Sequence, residues 1–213
     1  MKKCNDFTID GKGTNAEWNK AEWQIFSKVQ QNAADHVSKS KILYSAKGIY
    51  VLFSGEDEKI TTKNYKDGEE IYEGDVFEVF FHPKSDQPQY FEYEINQLEK
   101  ELTLTLSRGK NNNVAWSPWG HEYQQKPLIK RKVNIAGGKN EIGAKIKSWT
   151  AEVFFPNEIL ALMPGIPPQS GDIWNANFCR IDYDRGEPME WSWSPAIIRS
   201  FHELEHFRSI KFQ

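Results

Sequence analysis

The sequence predicts an all-β protein, a two-sheet antiparallel β-sandwich with at most one or two short helices. Three observations carry this expectation. Short runs rich in Val, Ile, Phe, Tyr and Thr recur along the chain, the composition that a pleated, half-buried surface prefers. Gly, Pro, Asn and Asp stand between those runs and supply the backbone conformations that turns need. One segment alone has a helical signature. Many short strands separated by turn signals read as a sandwich or a barrel.

In chain order, strands are expected at 41–45, 49–55, 75–82, 90–96, 101–107, 128–135, 145–155, 173–183 and 209–212. Lys47-Gly48 supplies a tight turn between the first two. The helix is expected over 157–163, starting after Pro156 and stopped by Pro164-Gly165. No internal repeat, low-complexity tail or linker divides the chain, so residues 1–213 are expected to form a single domain.

Alternation sorts the side chains. In 76–82 one face carries Phe77, Val79 and Phe81, and the other Val76, Glu78 and Phe80. In 90–96 one face carries Phe91, Tyr93 and Ile95, and the other Tyr90, Glu92, Glu94 and Asn96. The short loop between them makes the two strands an antiparallel pair. Phe77/Val79/Phe81 and Phe91/Tyr93/Ile95 are then the core-facing sets. The opposite face gathers Glu78, Phe80, Glu92, Glu94 and Asn96. It reads either as an ordinary solvated face or as one that meets sugar hydroxyls.

Composition narrows the function. With 27 basic and 30 acidic residues the net charge is -3, so the basic excess of a phosphate binder is missing and nucleic acid is not an expected partner. No apolar run is long enough to span a membrane. Cys4 and Cys179 are too few for a disulfide framework. Met1 to Asp10 has no apolar signal segment, which leaves two expectations: a cytoplasmic protein, or an exported one whose signal is not part of this sequence. The aromatic share is high at 14%, with eight Trp. A bulky core accounts for most of these rings, and the remainder suit flat apolar ligand faces.

Ile9-Asp10-Gly11, Glu17-Trp18 and Gly48-Ile49-Tyr50-Val51 resemble the start of carbohydrate-binding module family 9. Tyr72-Glu73-Gly74-Asp75-Val76-Phe77-Glu78-Val79-Phe80 resembles its W-E-x-D-x-V-E-hydrophobic-F block. Trp149 to Pro156, Gly171-Asp172-Ile173-Trp174, Trp193-Ser194-Pro195, Phe201 and Phe207 follow in family order. The resemblance implies a β-sandwich that binds the ends of sugar chains, holding a ring between two aromatic side chains. By position it implies Tyr72 as the first aromatic, Phe201 as the second, and Glu78, Glu94, Asn96 and Asn177 as polar contacts. Three positions depart from the pattern: Tyr72 and Phe201 stand for tryptophans, and Glu94 stands for a basic residue. Trp116 and Trp119, in the Asn-rich stretch beginning at Asn111-Asn112, are further stacking candidates. Their alternative is to fold back and plug one end of the sandwich.

Sharper motifs carry less. His202-Glu203-Leu204-Glu205-His206 matches H-E-x-x-H, but Phe207 to Gln213 contain no further ligand, so zinc is not expected. Asp182-Tyr183-Asp184-Arg185-Gly186 opens like a calcium loop, yet Trp193 stands where the closing glutamate belongs. No cofactor is expected beyond a structural calcium there. Glu78, Glu92 and Glu94 could be imagined as a glycosidase pair, and Met163, Met189 and the five His as haem ligands. Neither set has supporting context.

The expectation is therefore a non-catalytic sugar-binding domain, with Tyr72 and Phe201, or Trp116 and Trp119, stacking on the sugar. Its class implies polysaccharide utilisation, a periplasmic or extracellular setting and a catalytic domain or enzyme as partner. A structural or protein-interaction sandwich without sugar affinity is the alternative.

Overall fold

The computed structural model describes residues 1–109, 113–119 and 129–213. The elements are β1 (Lys2–Lys3), β2 (Gln24–Ile25), β3 (Ser27–Lys28), β4 (Ser38–Tyr44), β5 (Gly48–Glu56), β6 (Val76–His82), β7 (Gln89–Asn96), β8 (Glu101–Arg108), β9 (Val114–Pro118), β10 (Lys130–Ala136), β11 (Ser148–Pro156), α1 (Asn157–Leu160), β12 (Ile173–Asp182), β13 (Met189–Ser192) and β14 (Arg208–Lys211). Among the described residues they form two sheets. One runs β1-β4-β5-β11-β10, with β2 also on β4; the other runs β3-β13-β12-β6-β7-β8-β9, with β14 also on β12. Every pairing is antiparallel except β1 with β4. The fold is the expected all-β sandwich.

The core lies between the sheets, where alternation placed it. Phe77, Val79 and Phe81 of β6 and Phe91, Tyr93 and Ile95 of β7 belong to one buried cluster with Phe53, Trp149, Phe155 and Phe178. Phe77 lies between Phe53 and Trp149, with ring centroids 5.0 and 4.2 Å away. Close ring contacts of this kind add roughly 0.5–1.5 kcal/mol each to the burial of their area.

The outer faces are less solvated than alternation implies. On the six-stranded sheet, the N-terminal segment folds back over Leu43, Tyr50, Leu52 and Phe154, bringing Trp18 with it. Glu152 holds that segment: it accepts the indole N–H of Trp18 at 2.7 Å and the backbone N–H groups of Asp10 and Gly11 at 2.8 and 2.6 Å. Gly11 has φ +81°, and a Cβ there would press on the backbone of Lys132 and Val133 at 3.0 Å. The Ile9-Asp10-Gly11 and Glu17-Trp18 signals therefore belong to a structural strap.

The eight-stranded sheet is covered as well, which overturns the solvated-face reading of Glu78, Glu92 and Glu94. Val76, Phe80, Tyr90, Leu102, Leu104 and Leu106 form a second apolar cluster with Ile197, Phe201 and Phe207 of the C-terminal turns. Hence β6 is buried along its whole length.

Smaller departures have local causes. Asn157–Leu160 is helical for four residues only, ahead of the break at Pro164-Gly165. Residues 114–118, expected as loop, form edge strand β9, where Pro118 is tolerated because an edge spares an N–H partner. Strand 145–155 begins at Ser148. Leu128, expected to open β10, and Asn111 and Asn112 lie outside the described residues.

Candidate functional site

A recess of about 440 Å³ opens on the outer face of the eight-stranded sheet, within the roughly 300–1,000 Å³ that small-molecule sites occupy. Register builds its floor. Glu78 of β6 pairs directly with Glu94 of β7, and Glu92 lies two residues from Glu94 on the same face. Leu102 and Leu104 of β8 pair with Glu94 and Glu92 and extend the floor as an apolar strip. Trp116 of β9 stands at one side, 61% exposed. Tyr72, in the 3-10 turn Ile71–Glu73 that leads into β6, is 36% exposed at the recess. Phe201 and His202 line it from the C-terminal segment.

Five of the eight expected site residues thus meet here: Tyr72, Glu78, Glu94, Trp116 and Phe201. Phe201 is only 7% exposed and lies edge-on to Phe80 at 6.5 Å, so Trp116 presents much the larger ring surface. The other three are placed elsewhere. Trp119 is 3% exposed in the central core, edge-on to Phe91 at 4.9 Å. It stands three residues beyond Trp116, and odd spacing along an extended chain turns a side chain to the opposite face. Asn96 is buried and caps the β7–β8 turn, its Oδ1 accepting the N–H groups of Leu98 and Lys100 at 3.0 and 2.9 Å. Asn177 is buried and ties β12 to β13, donating to Ser192 Oγ at 2.9 Å and accepting the N–H of Ser194 at 3.1 Å.

Sequence reasoning left Glu92, Glu190, Arg199 and His202 out of the site, although all four line it. For Glu92 the signal was present in its alternation with Glu94. His202 has a different role from a zinc ligand: its Nδ1 bonds the hydroxyl of Tyr90 at 3.0 Å. Burial, and then the nearby Arg108, lower its pKa to about 4, so it is a neutral imidazole at ordinary pH. The 204–206 turn is a single 3-10 turn, which cannot stack two imidazoles as H-E-x-x-H chemistry requires. Met163 and Met189 are both packed in the central core.

The floor carboxylates are in an unusual state. Glu78, Glu92 and Glu94 are 3%, 4% and 1% exposed. Burial, then mutual repulsion, pushes Glu78 and Glu94 well above the usual carboxylate range, and burial pushes Glu92 up to about 8. Burial of three neighbouring carboxyl groups thus favours their protonated forms near neutral pH. An acid whose pKa is higher folded than unfolded binds more protons in the native state, so stability falls as pH rises between the two values. For Glu92 that window runs from about 4.5 to about 8. The neutral isostere Glu92→Gln is expected to melt several degrees above the parent near pH 8 and level with it near pH 5. Thermal melts at the two pH values check this.

A separate acidic group sits at one end of the sandwich. Asp57, Asp182 and Asp184 are, among the described residues, the one carboxylate trio close enough to share a metal ion. Buried Arg180 donates to Asp57 at 3.1 Å and to Asp182 at 2.6 Å. Asp184 accepts the N–H groups of Glu58 and Lys59 at 3.1 Å and the hydroxyl of Thr61 at 2.7 Å. These donors partner all three carboxylates, so the fold is expected not to depend on calcium. Chelator treatment is expected to leave the melting temperature unchanged; a fall restored by calcium would contradict this.

A larger recess, about 660 Å³, lies on the outer face of the other sheet. Its rings stack on one another, Phe7 on Tyr50 at 4.2 Å and Tyr50 against Phe154 at 4.4 Å. Its carboxylate Asp6 accepts from Ser45 at 2.6 Å and pairs with Lys47 at 3.3 Å. The outward-facing rings and unpaired acids are in the first recess.

An all-β sandwich with such a recess defines a ligand-binding sandwich domain. The chain belongs to the carbohydrate family 9 binding domain-like family, whose model matches residues 9–163. Among solved structures, a provisionally assigned carbohydrate-binding protein from Bacteroides uniformis ATCC 8492 is similar over 100% of this chain and 97% of its own, with TM-score 0.81 and 17% identity. A family 9 module from Caldicellulosiruptor kristjanssonii, solved in complex with cellotriose, matches over 100% and 94% with TM-score 0.67 and 15% identity. Its complex with glucose matches over 100% and 95% with TM-score 0.63 and 16% identity. No curated protein matches.

Proposed function

We propose that the chain is a non-catalytic domain that binds a sugar, or the end of a sugar chain, in the recess over β6 and β7. The observation that carries this is the pairing of two exposed rings, Trp116 and Tyr72, with buried acids on the floor between strands. A sugar has apolar C–H faces and a hydroxyl rim. Rings cover the faces, while Glu78 and Glu94 take the rim. The cellotriose and glucose complexes of the Caldicellulosiruptor module support this ligand class.

Catalysis is disfavoured by placement. Glu78, Glu92 and Glu94 rise from one face of two adjacent strands, whereas a glycosidase sets its two carboxyl groups on either side of the scissile bond. In the reading proposed here the domain serves an exported enzyme by holding its polysaccharide. Each contact competes with water, so affinity in the micromolar-to-millimolar range, about -4 to -8 kcal/mol, is expected. Calorimetric titration with glucose and cellotriose tests the reading. Saturable binding without release of reducing sugar supports it, and no heat with either sugar contradicts it.

A further inference from the structure

The floor of the recess holds more acid than hydroxyl recognition needs. Three carboxyl groups under 5% exposed share it, and among the described residues no Lys, Arg or His forms an ion pair with any of them. Among the described residues, Oε2 of Glu92 and Oε2 of Glu94 are both buried with no hydrogen-bond partner, and both residues line the cavity. Glu190 adds a fourth acid to the wall. The cation lining the recess, Arg199, is exposed.

Burying several carboxylates without a counter-charge is costly, by several kcal/mol per ion. The groups stay neutral by holding protons until a cation arrives. The described residues supply none at Glu92 and Glu94, and a cationic ligand is a source that the open recess admits. A bare metal ion is a poor match, because the one close carboxylate trio among the described residues is elsewhere. The leucines of the floor and the rings of Trp116 and Tyr72 ask for a ligand with an apolar face. An ammonium group on a sugar ring satisfies both demands.

Resting on the sugar-binding reading above, we propose that the recess recognises an amino sugar, a hexose with a free ammonium group at a chain end, and that Glu92 and Glu94 receive the ammonium. No covalent bond changes. The ammonium takes the place of a carboxyl proton, and that proton passes to solvent.

Calorimetry on the intact protein near pH 7 with glucosamine, glucose and N-acetylglucosamine tests this. The three share a ring and differ in the group at one carbon, so the comparison isolates the charge. Glucosamine is expected to bind about tenfold or more tighter than either neutral sugar, because charge-assisted hydrogen bonds are about twice as strong as neutral ones. Glu92→Gln, at an acid outside the rim contacts, is expected to erase the preference while glucose affinity stays within about twofold. Should that variant fold poorly, Glu94→Gln is expected to lower the glucosamine-to-glucose affinity ratio to about one, whatever it does to both affinities. Equal affinity for glucose and glucosamine overturns the amino-sugar assignment and leaves sugar binding standing. Binding of none of the three overturns both. Cyclohexylamine binding as tightly as glucosamine overturns the assignment too, since the hydroxyls would then go unread.

Discussion

Replacing Arg180 with Met is expected to destabilise the protein by about 3–5 kcal/mol. Arg180 is fully buried, and its guanidinium donates to Asp57, Asp182, Ser38 Oγ and the carbonyl of Glu56. These groups come from β4, β5, β12 and the turn after β5, so one side chain closes that end of both sheets. Its carbon centre also lies over Trp191 and Phe77, 5.2 and 5.8 Å from the ring centroids. Methionine fills much of the space but leaves two buried carboxylates without their cation. For a chain of this size the melting temperature is expected to fall by on the order of 10 °C. Adding Asp57→Asn and Asp182→Asn should recover part of the loss, because the stranded charges are then gone. A single variant melting with the parent would show that the guanidinium is not what holds this end together.

Truncating Trp116 to Ala is expected to weaken sugar binding at least about tenfold, which is roughly 1.4 kcal/mol. The indole is 61% exposed, so little of its surface contributes to folding, and stability should move by no more than about 0.5 kcal/mol. Tyr72→Ala is expected to act the same way on binding. Burial, and then the neighbouring Glu70, raise the pKa of its hydroxyl to about 12. Titration and a thermal melt of each variant separate the two effects. Unchanged affinity in both would place the sugar elsewhere.

Much of the fold was legible because one face of each central strand is plainly apolar. Phe77/Val79/Phe81 and Phe91/Tyr93/Ile95 went inward as a period of two requires. The second layer was also signalled, though less plainly. Phe80 and Val76 sit beside Glu78, and Leu102, Leu104 and Leu106 alternate along β8, so the outer face of these strands carried enough apolar surface to need a cover. That cover is built from Ile197, Phe201 and Phe207, over ninety residues away in the chain, and no local pattern links them.

The candidate site was partly legible for the same reason. Tyr72, Glu78 and Glu94 follow from the strand block and its register, and Trp116 from a tryptophan among polar neighbours. Asn96 and Asn177 were not separable from ligand contacts by sequence, because a turn-capping amide and a sugar-binding amide are the same letter. Trp119 depended on whether residues 114–118 form strand or loop; once β9 is a strand, its direction is fixed. The protonation of Glu92 and Glu94 was out of reach, since it arises from burial by segments distant in sequence.

The account is tested most directly by following the indole N–H signals of the eight tryptophans by NMR while glucose or an oligosaccharide is added. The signal of Trp116, assigned from its Ala variant, is predicted to shift in a saturable way, while those of buried Trp149 and Trp191 stay in place. A saturable shift confined to other tryptophans, or none at saturating sugar, would contradict a ligand site on this face of the sheet.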